Sequence, residues 1–474
     1  MNPSPRNVLL LSLACALAFA PGTGAQNVPQ TSAQNPILGS VPAGTATTEE
    51  LSLTLSDAID RGLRQNLGVL FGSDAVLAAQ GSSWQARSRL LPNLSARVVE
   101  NVAQVNLAAQ GFGKVAGHFP GGGFPLVIGP FGFFDMRAYL SQSRLDLNAL
   151  HGQRAAERSL AAERFSFQDV REVVVLAVGS IYVETLTDQA RVDTAEAQVR
   201  TAQALQDQAA DLRRTGISAG IDLLRAQVEL QTRQQELIAA RNVLAKQKLT
   251  LARAIGLPLG QDFRLADTVP YQPAAVPSVD DALQQALATR ADFQSAQASV
   301  RSAEEQHRAA RAQHLPSLTA DANYGVIGPT PGQTHGTFTA AAALHIPIFA
   351  GNKVHGDDLV AQAELDRSRQ RLDDLRAQIE QDVRTAELDL QAAADRVSVA
   401  QSNVDLAQQT LAQSRDRFGA GVSDNVEVVQ AQEAVARANE SYIASVHDYN
   451  LARMRLARAT GSAEKEIRQY GKEQ

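Results

Sequence analysis

The residue types that carry enzyme chemistry are present in this chain but do not converge. Eight histidines occur, five of them (His307, His314, His335, His345 and His355) in one stretch, and neutral imidazoles are common zinc and copper ligands. Their spacing matches no metal pattern, and no His-x-x-x-His pair would set two rings on one helix face. One cysteine and three methionines are too few for a soft-metal site. The run Gly121-Gly122-Gly123 could cradle a phosphate, but the lysine and Ser/Thr that complete such a loop are missing. Without converging acid, base and nucleophile, no catalytic residue, metal ligand or cofactor is assigned, and the chain is not expected to be an enzyme.

The chemistry therefore has to come from the elements themselves. Net charge is −6 with no basic block, which argues against nucleic acid as a partner. Aromatics make up 5% of the chain, so large side chains cannot dominate the core and long helices packed through small residues are expected. Residues 1–25 read as a secretory signal: Arg6, an apolar stretch from Val8 to Ala20, then small residues to Ala25. Cys15 inside that stretch is alternatively a lipid-attachment site, although Ser12 stands where such sites favour leucine. No other run of about 20 apolar residues occurs, so any membrane crossing must be made by strands. Residues 26–50, rich in Pro, Thr, Gln and Gly, read as a flexible linker that packs poorly or lies along another surface.

From there the chain says the same thing twice. Asp57-Ala58 through Leu91-Pro92-Asn93-Leu94 returns 224 positions later as Asp281-Ala282 through Leu315-Pro316-Ser317-Leu318. Gly216 to Gly256 matches Gly421 to Gly461 at an offset of 205. A duplicated unit buries its surface against its own copy. The repeats are placed at 51–265 and 277–461, joined by a linker at 266–276 and followed by a tail at 462–474.

Each repeat opens with a helix capped by Ser56-Asp57 or by Ser278 with Asp280, and ends it before the proline that follows Leu91 or Leu315. The apolar period then switches to two. Leu318, Ala320, Ala322, Tyr324 and Val326 alternate with Ser317, Thr319, Asp321, Asn323 and Gly325, and a Gly/Pro-rich turn leads to a second alternating run. This predicts β-hairpins with strands at about 93–109 and 134–147 in the first repeat, and 317–327 and 337–348 in the second. Such alternation suits a soluble sheet packed on a helix, or a barrel wall with lipid on one side and water on the other. Four strands are too few to close a membrane barrel, so a membrane reading requires an oligomer. The first hairpin carries 25 extra residues (224 minus 199), around 111–133, with Phe112, Phe119, Phe124, Phe131 and Phe133. An apolar external loop or interfacial anchor is expected there.

Past each hairpin lies a helix of unusual length. From Gly351 to Gly419 little breaks it, and Leu372, Leu375, Ile379, Val383, Ala386, Leu390 and their successors keep a spacing near 3.5, a coiled-coil seam of roughly 100 Å. Each long helix stops at a glycine-bearing turn and reverses into a helix of about 36 residues ending at Gly256 or Gly461. Stacked on the opening helix, that piece would match the long partner in length.

The Leu-Pro pair opening each hairpin, Pro347-Ile348-Phe349-x-Gly351, Gly421-Val422-Ser423 followed by Val426-Glu427-Val428-Val429-x-Ala431-Gln432, and the matching Gly216-Ile217-Ser218 with Ile221-Asp222-Leu223-Leu224-x-Ala226-Gln227 come in one order. In that order the chain resembles the TolC-like outer-membrane efflux proteins, also called outer membrane factors, over Leu51 to Gly461. The resemblance implies an α+β membrane protein: a homotrimer whose 12-stranded β-barrel continues into a long α-helical coiled-coil barrel across the periplasm. It also implies a periplasmic adaptor protein as partner at the tip (Gly216, Ile217, Ser218, Gly421, Val422, Ser423), an inner-membrane pump, and a lumenal pore gate at Asp222 and Glu427. Gln430 stands where the family can carry another acid, which puts a double acidic ring in doubt.

On the residues alone, the tip glycines equally serve left-handed helix endings, and Glu427 equally reads as a solvated carboxylate near a helix start. If it is lumenal, symmetry makes a ring of like charge that favours cations. Asn148-Ala149-Leu150 replaces Pro347-Ile348-Phe349 in the first repeat, so a less sharp strand-to-helix corner is expected there. The alternative to a conduit is a periplasmic or secreted coiled-coil scaffold, which leaves the alternating hairpins unexplained.

Overall fold

The computed structural model describes residues 39–111, 125–216, 219–268, 271, 278–420, 422–423 and 425–469. The expected signal segment, most of the aromatic insert and most of the inter-repeat linker lie outside these residues. All elements below belong to the unit that runs from Pro36 to Gln474.

The first repeat is β1 (Leu51–Leu53), α1 (Leu55–Gln65), α2 (Leu67–Ser88), β2 (Asn93–Asn106), β3 (Val127–Leu145), α3 (Leu147–Arg214), α4 (Gly220–Ala254) and β4 (Phe263–Leu265). The second is α5 (Val279–Thr289), α6 (Ala291–Ala312), β5 (Ser317–Gly328), β6 (His335–His345), α7 (Lys353–Gly419) and α8 (Asn425–Ala459), followed by α9 (Ala463–Gln469). The fold is mostly helical, with a four-stranded sheet and a two-stranded one among the described residues. At 1.5 Å per residue, α3 and α7 are each roughly 100 Å long.

The opening helix of each repeat is broken, which the periodicity did not predict. Asn66 (ψ 132) divides α1 from α2 and Arg290 (ψ 123) divides α5 from α6, and the two positions are 224 residues apart. At Asn66 the side chain caps the second piece by accepting from the Gly68 amide at 2.9 Å. Thr54 closes a capping box with Asp57 at the start of α1, and Ser278 accepts from the Asp281 amide at the start of α5. The short helices end against these breaks. Gly256 (φ +67) abuts Gln65 and Gly461 (φ +72) abuts Arg290, both in the left-handed geometry that glycine adopts without penalty. This is where the spliced column is joined.

Small residues fill the core, as the composition predicts. One cluster sets Ile59 of α1, Leu251 of α4 and Ile255 just beyond it against Val174, Val178 and Tyr182 of α3. Its counterpart sets Ala282 and Ala286 of α5 and Val446 and Tyr449 of α8 against Ile379, Val383 and Leu390 of α7. Along α7 the buried residues Ile379, Val383, Ala386, Leu390, Ala393, Val397, Ala400 and Val404 alternate steps of four and three. Beyond the second repeat, Ala463 and Ile467 of α9 are buried, so residues 463–469 form a packed helix within what was expected as a tail. The linker residues from Gly39 onward lie along another surface: Val41 donates to the Gln65 carbonyl and Ala43 to the Gly256 carbonyl.

Two parallel strands, β1 and β4, were not anticipated; they pair Leu51–Leu53 with Phe263–Leu265. The remaining strands form one antiparallel sheet in the order β2-β3-β5-β6. β3 starts at Val127, seven residues before the expected start, so Phe131 and Phe133 of the aromatic insert pair with Ala103 and Asn101 inside the sheet. The corners differ more than expected, and in the opposite sense. Asp146 alone links β3 to α3 and caps the helix through the Ala149 amide. In the second repeat residues 346–352 separate β6 from α7, with Gly351 and Asn352 left-handed.

Candidate functional site

Two regions gather the features that can act. The first is the sheet, whose register sorts the side chains into two faces. Leu94, Val98 and Val102 of β2 share a face with Met136 and Leu140 of β3, Tyr324 of β5, and Phe338 and Leu344 of β6, and all of these are exposed. The opposite face is mostly polar: Ser95, Arg97 and Asn101, then Asp135, Arg137, Tyr139 and Ser141, then Thr319, Asp321 and Asn323, then Thr337 and Thr339, with Val99, Phe131, Phe133 and Ile327 as its apolar members. The outer strands β2 and β6 each pair on one side only among the described residues. An exposed face this apolar marks a surface that contacts a nonpolar neighbour, and its two open edges are templates for further strands.

The second region is the pair of helical reversals. α3 ends at Thr215, whose amide donates to the Asp211 carbonyl, and Gly216 (φ +77) turns the chain. α7 ends at Ala420, and the Val422 amide donates back to the Arg417 carbonyl at 3.0 Å. The two reversals share an apolar cluster: Leu205 of α3, Phe418 of α7 and Val428 of α8 are buried together, with Leu212 and Leu411 packed against them. Of the sequence-derived tip residues, Val422 is 72% exposed and Ser423 is half-buried, while Ile217, Ser218 and Gly421 lie outside the described residues. Both acids of the expected gate sit in the first turn of their helix, Asp222 in α4 and Glu427 in α8. Each faces an arginine: Arg225 Nη1 lies 3.5 Å from Asp222 Oδ1, and Arg417 Nε lies 3.8 Å from Glu427 Oε1.

Sequence reasoning missed a third constellation, a charged knot at the second splice. Arg290 is almost fully buried at the break between α5 and α6, bound to Asp292 (2.7 Å) and to Asp382 of α7 (3.0 Å). Arg458 of α8 contacts Asp169 of α3 and lies 3.6 Å from Glu172. Arg171 of the same helix binds Glu464 of α9 at 2.7 Å. Burial pushes the Glu172 carboxyl up to about 7, Arg458 opposes this, and the negative charges of Asp169, Asp292 and Glu464 add to it. The only signal in the sequence was Arg290 standing at the position of Asn66 in the other repeat. Among the described residues no cluster of His, Cys, Asp and Glu could hold a metal ion, and no helix is long and apolar enough to cross a membrane.

Comparison with known proteins points the same way as the architecture. Residues 282–462 match the family model for outer membrane efflux proteins. The chain is 27% identical over 217 residues to the pyoverdine export outer membrane protein OpmQ of Pseudomonas putida, covering 44% of this chain and 45% of that protein. It is 24% identical over 332 residues to the probable efflux pump outer membrane protein TtgC of Pseudomonas putida, covering 65% of this chain and 64% of the relative. The match thus spans about half to two thirds of these relatives. Among solved structures, the outer membrane protein VceC of Vibrio cholerae superposes with a TM-score of 0.71 at 17% identity, covering 86% of this chain and 96% of that one; at that identity the likeness concerns the fold.

Proposed function

We propose, on the premise that this TolC-like chain carries an outer membrane efflux protein domain, that it is the outer-membrane channel of a tripartite export system. Three copies would close β2 onto β6 of the next, giving a barrel of twelve strands with lipid outside and water inside. The helices would continue the conduit through the periplasm. Small molecules or proteins would arrive from an inner-membrane pump through a periplasmic adaptor, and no enzymatic step is assigned.

One observation carries this reading: a sheet with one exposed apolar face, one mostly polar face and, among the described residues, two open edges. A scaffold in water would leave that apolar face against solvent. The helical reversals are the ends available to the adaptor, at Gly216, Ile217, Ser218, Gly421, Val422 and Ser423. Asp222 and Glu427 act as the pore gate, with Arg225 and Arg417 holding them in the closed state. Opening requires the cluster of Leu205, Phe418 and Val428 to part, which a partner must favour energetically.

The test is reconstitution of the detergent-purified protein into planar bilayers, with its mass measured in the same detergent. A trimer that carries stepwise ion current supports the channel; a monomer without current removes it.

A further inference from the structure

The polar face of the sheet is not uniformly polar. Register sets Arg97 of β2 directly opposite Arg137 of β3, and continues that row through Gly325 of β5 to Thr337 of β6. Like charges directly opposite one another in a sheet repel, so this arrangement needs a reason. Asp135, 8% exposed, meets only part of the need. It accepts from Arg137 Nε at 2.7 Å and from Nη2 of the same guanidinium, a two-point contact. Arg97 has no carboxylate within 4 Å among the described residues. Instead its guanidinium lies 5.6 Å from the centre of the Tyr139 ring, which Arg137 approaches to 5.4 Å.

The backbone is fitted to this arrangement. A Cβ on Gly325 would come within 2.0 Å of the Met136 carbonyl and 2.7 Å of Arg137 Cγ, so only glycine lets β5 pass beneath the Arg137 side chain. The result is two guanidiniums and one carboxylate held around an aromatic ring in mid-strand, a net charge of +1 per chain at this level. Asp321 stands four residues from Gly325, toward the helical end of the sheet, and Glu100 belongs to the apolar face. Neither neutralises the row.

We propose that Arg97, Arg137 and Tyr139 form a binding station for carboxylate-bearing organic anions. The proposal rests on the channel reading, which makes this face the lumen, and it adds a substrate class to it. Arg97 presents a fork of N–H donors that matches a carboxylate in two-point geometry. Arg137, by neutralising Asp135, leaves the charge of Arg97 uncompensated, and Tyr139 fixes both guanidiniums while offering an aromatic edge. Repeated by symmetry, the station becomes a positive ring inside the barrel, at the far end of the conduit from the acidic tips.

The probe is trimesate, a benzene ring bearing three carboxylates, added on the barrel side of single channels in a planar bilayer. Arg97 is exposed, so Arg97→Gln leaves the packing of the sheet alone. Block by trimesate is expected to weaken about tenfold in Arg97→Gln, the loss of one charge-assisted contact, and to weaken less in Arg97→Lys, which keeps the charge but not the fork. Asp135→Asn is expected to tighten block by freeing Arg137. Conducting channels with equal block constants in wild type and Arg97→Gln would overturn the station while leaving the channel standing. A wild-type protein that never conducts would overturn the channel, and the station with it.

Discussion

Gly461 touches the backbone of Arg290: a Cβ at Gly461 would stand 2.9 Å from the Arg290 nitrogen, in a residue whose φ is +72. Both the contact and the left-handed conformation exclude a side chain. Gly461→Ala is expected to cost about 2–4 kcal/mol, strain and overpacking together, read by denaturant unfolding followed by circular dichroism. Gly216 has a similar φ of +77 with nothing within 4 Å. Gly216→Ala is therefore expected to cost only about 1–2 kcal/mol, the left-handed penalty alone. Equal losses would show that the splice tolerates a side chain.

Arg290→Met tests the knot at that splice. The Arg290 side chain is 6% exposed and serves Asp292 and Asp382 together. Burial pushes the Asp292 carboxyl up, yet the hydrogen bond and charge of Arg290 outweigh this and hold it below its ordinary value. Removing the cation strands those carboxylates, and a loss of about 3–5 kcal/mol is expected. In Arg290→Met/Asp292→Asn the loss should shrink, because one stranded charge is gone.

Glu172 gives the fold a pH dependence. Its carboxyl is raised from 4.5 to about 7 by burial first, with Arg458 opposing and Asp169, Asp292 and Glu464 reinforcing. The folded chain therefore holds this proton more tightly than the unfolded chain. The stabilisation is complete below pH 4.5 and is lost as pH rises through about 7. Burial raises Asp169 as well, in the same sense, while the lowered Asp292 acts at or below its ordinary value of 3.8, outside this window. Thermal midpoints of the wild type should fall by a few degrees between pH 5 and pH 8, and Glu172→Gln, neutral throughout, should flatten that slope. An unchanged slope would remove Glu172 as its source.

Charge at the tips should set ion preference. If the gate reading holds, Glu427→Gln lowers the permeability of cations relative to anions, and Arg417→Gln raises it by freeing the carboxylate that Arg417 faces at 3.8 Å. Reversal potentials in a potassium chloride gradient measure both. Shifts of the same sign in the two variants would place Glu427 outside the pore.

The repeat, the hairpins and the long helices were legible because each rests on periodicity or on an offset within the chain. The break at Asn66 and Arg290 was not, since the equivalent residues differ in type and neither is a proline or glycine. The early start of β3 was hidden by Gly129 and Pro130, which signal a loop, whereas the strand runs through them beside the register shift at Ala103 and Val105. Asp169, Arg290, Asp382 and Arg458 meet only because three helices converge on the break between α5 and α6, and no local spacing could announce that. Asp135 and Arg137 were visible as the polar half of an alternation. Their partnership with Arg97 depended on a register that only the folded sheet fixes.

The unequal corners have a mechanical meaning. With one residue, Asp146, between strand and helix, the start of α3 is tied directly to the end of β3, so a displacement there is shared by both elements. Seven residues separate β6 from α7, and that helix is held by its packing on α6 and α8 rather than by a short tether to the strand. The two long helices are thus anchored differently, one through the strand it follows and one through the helices beside it.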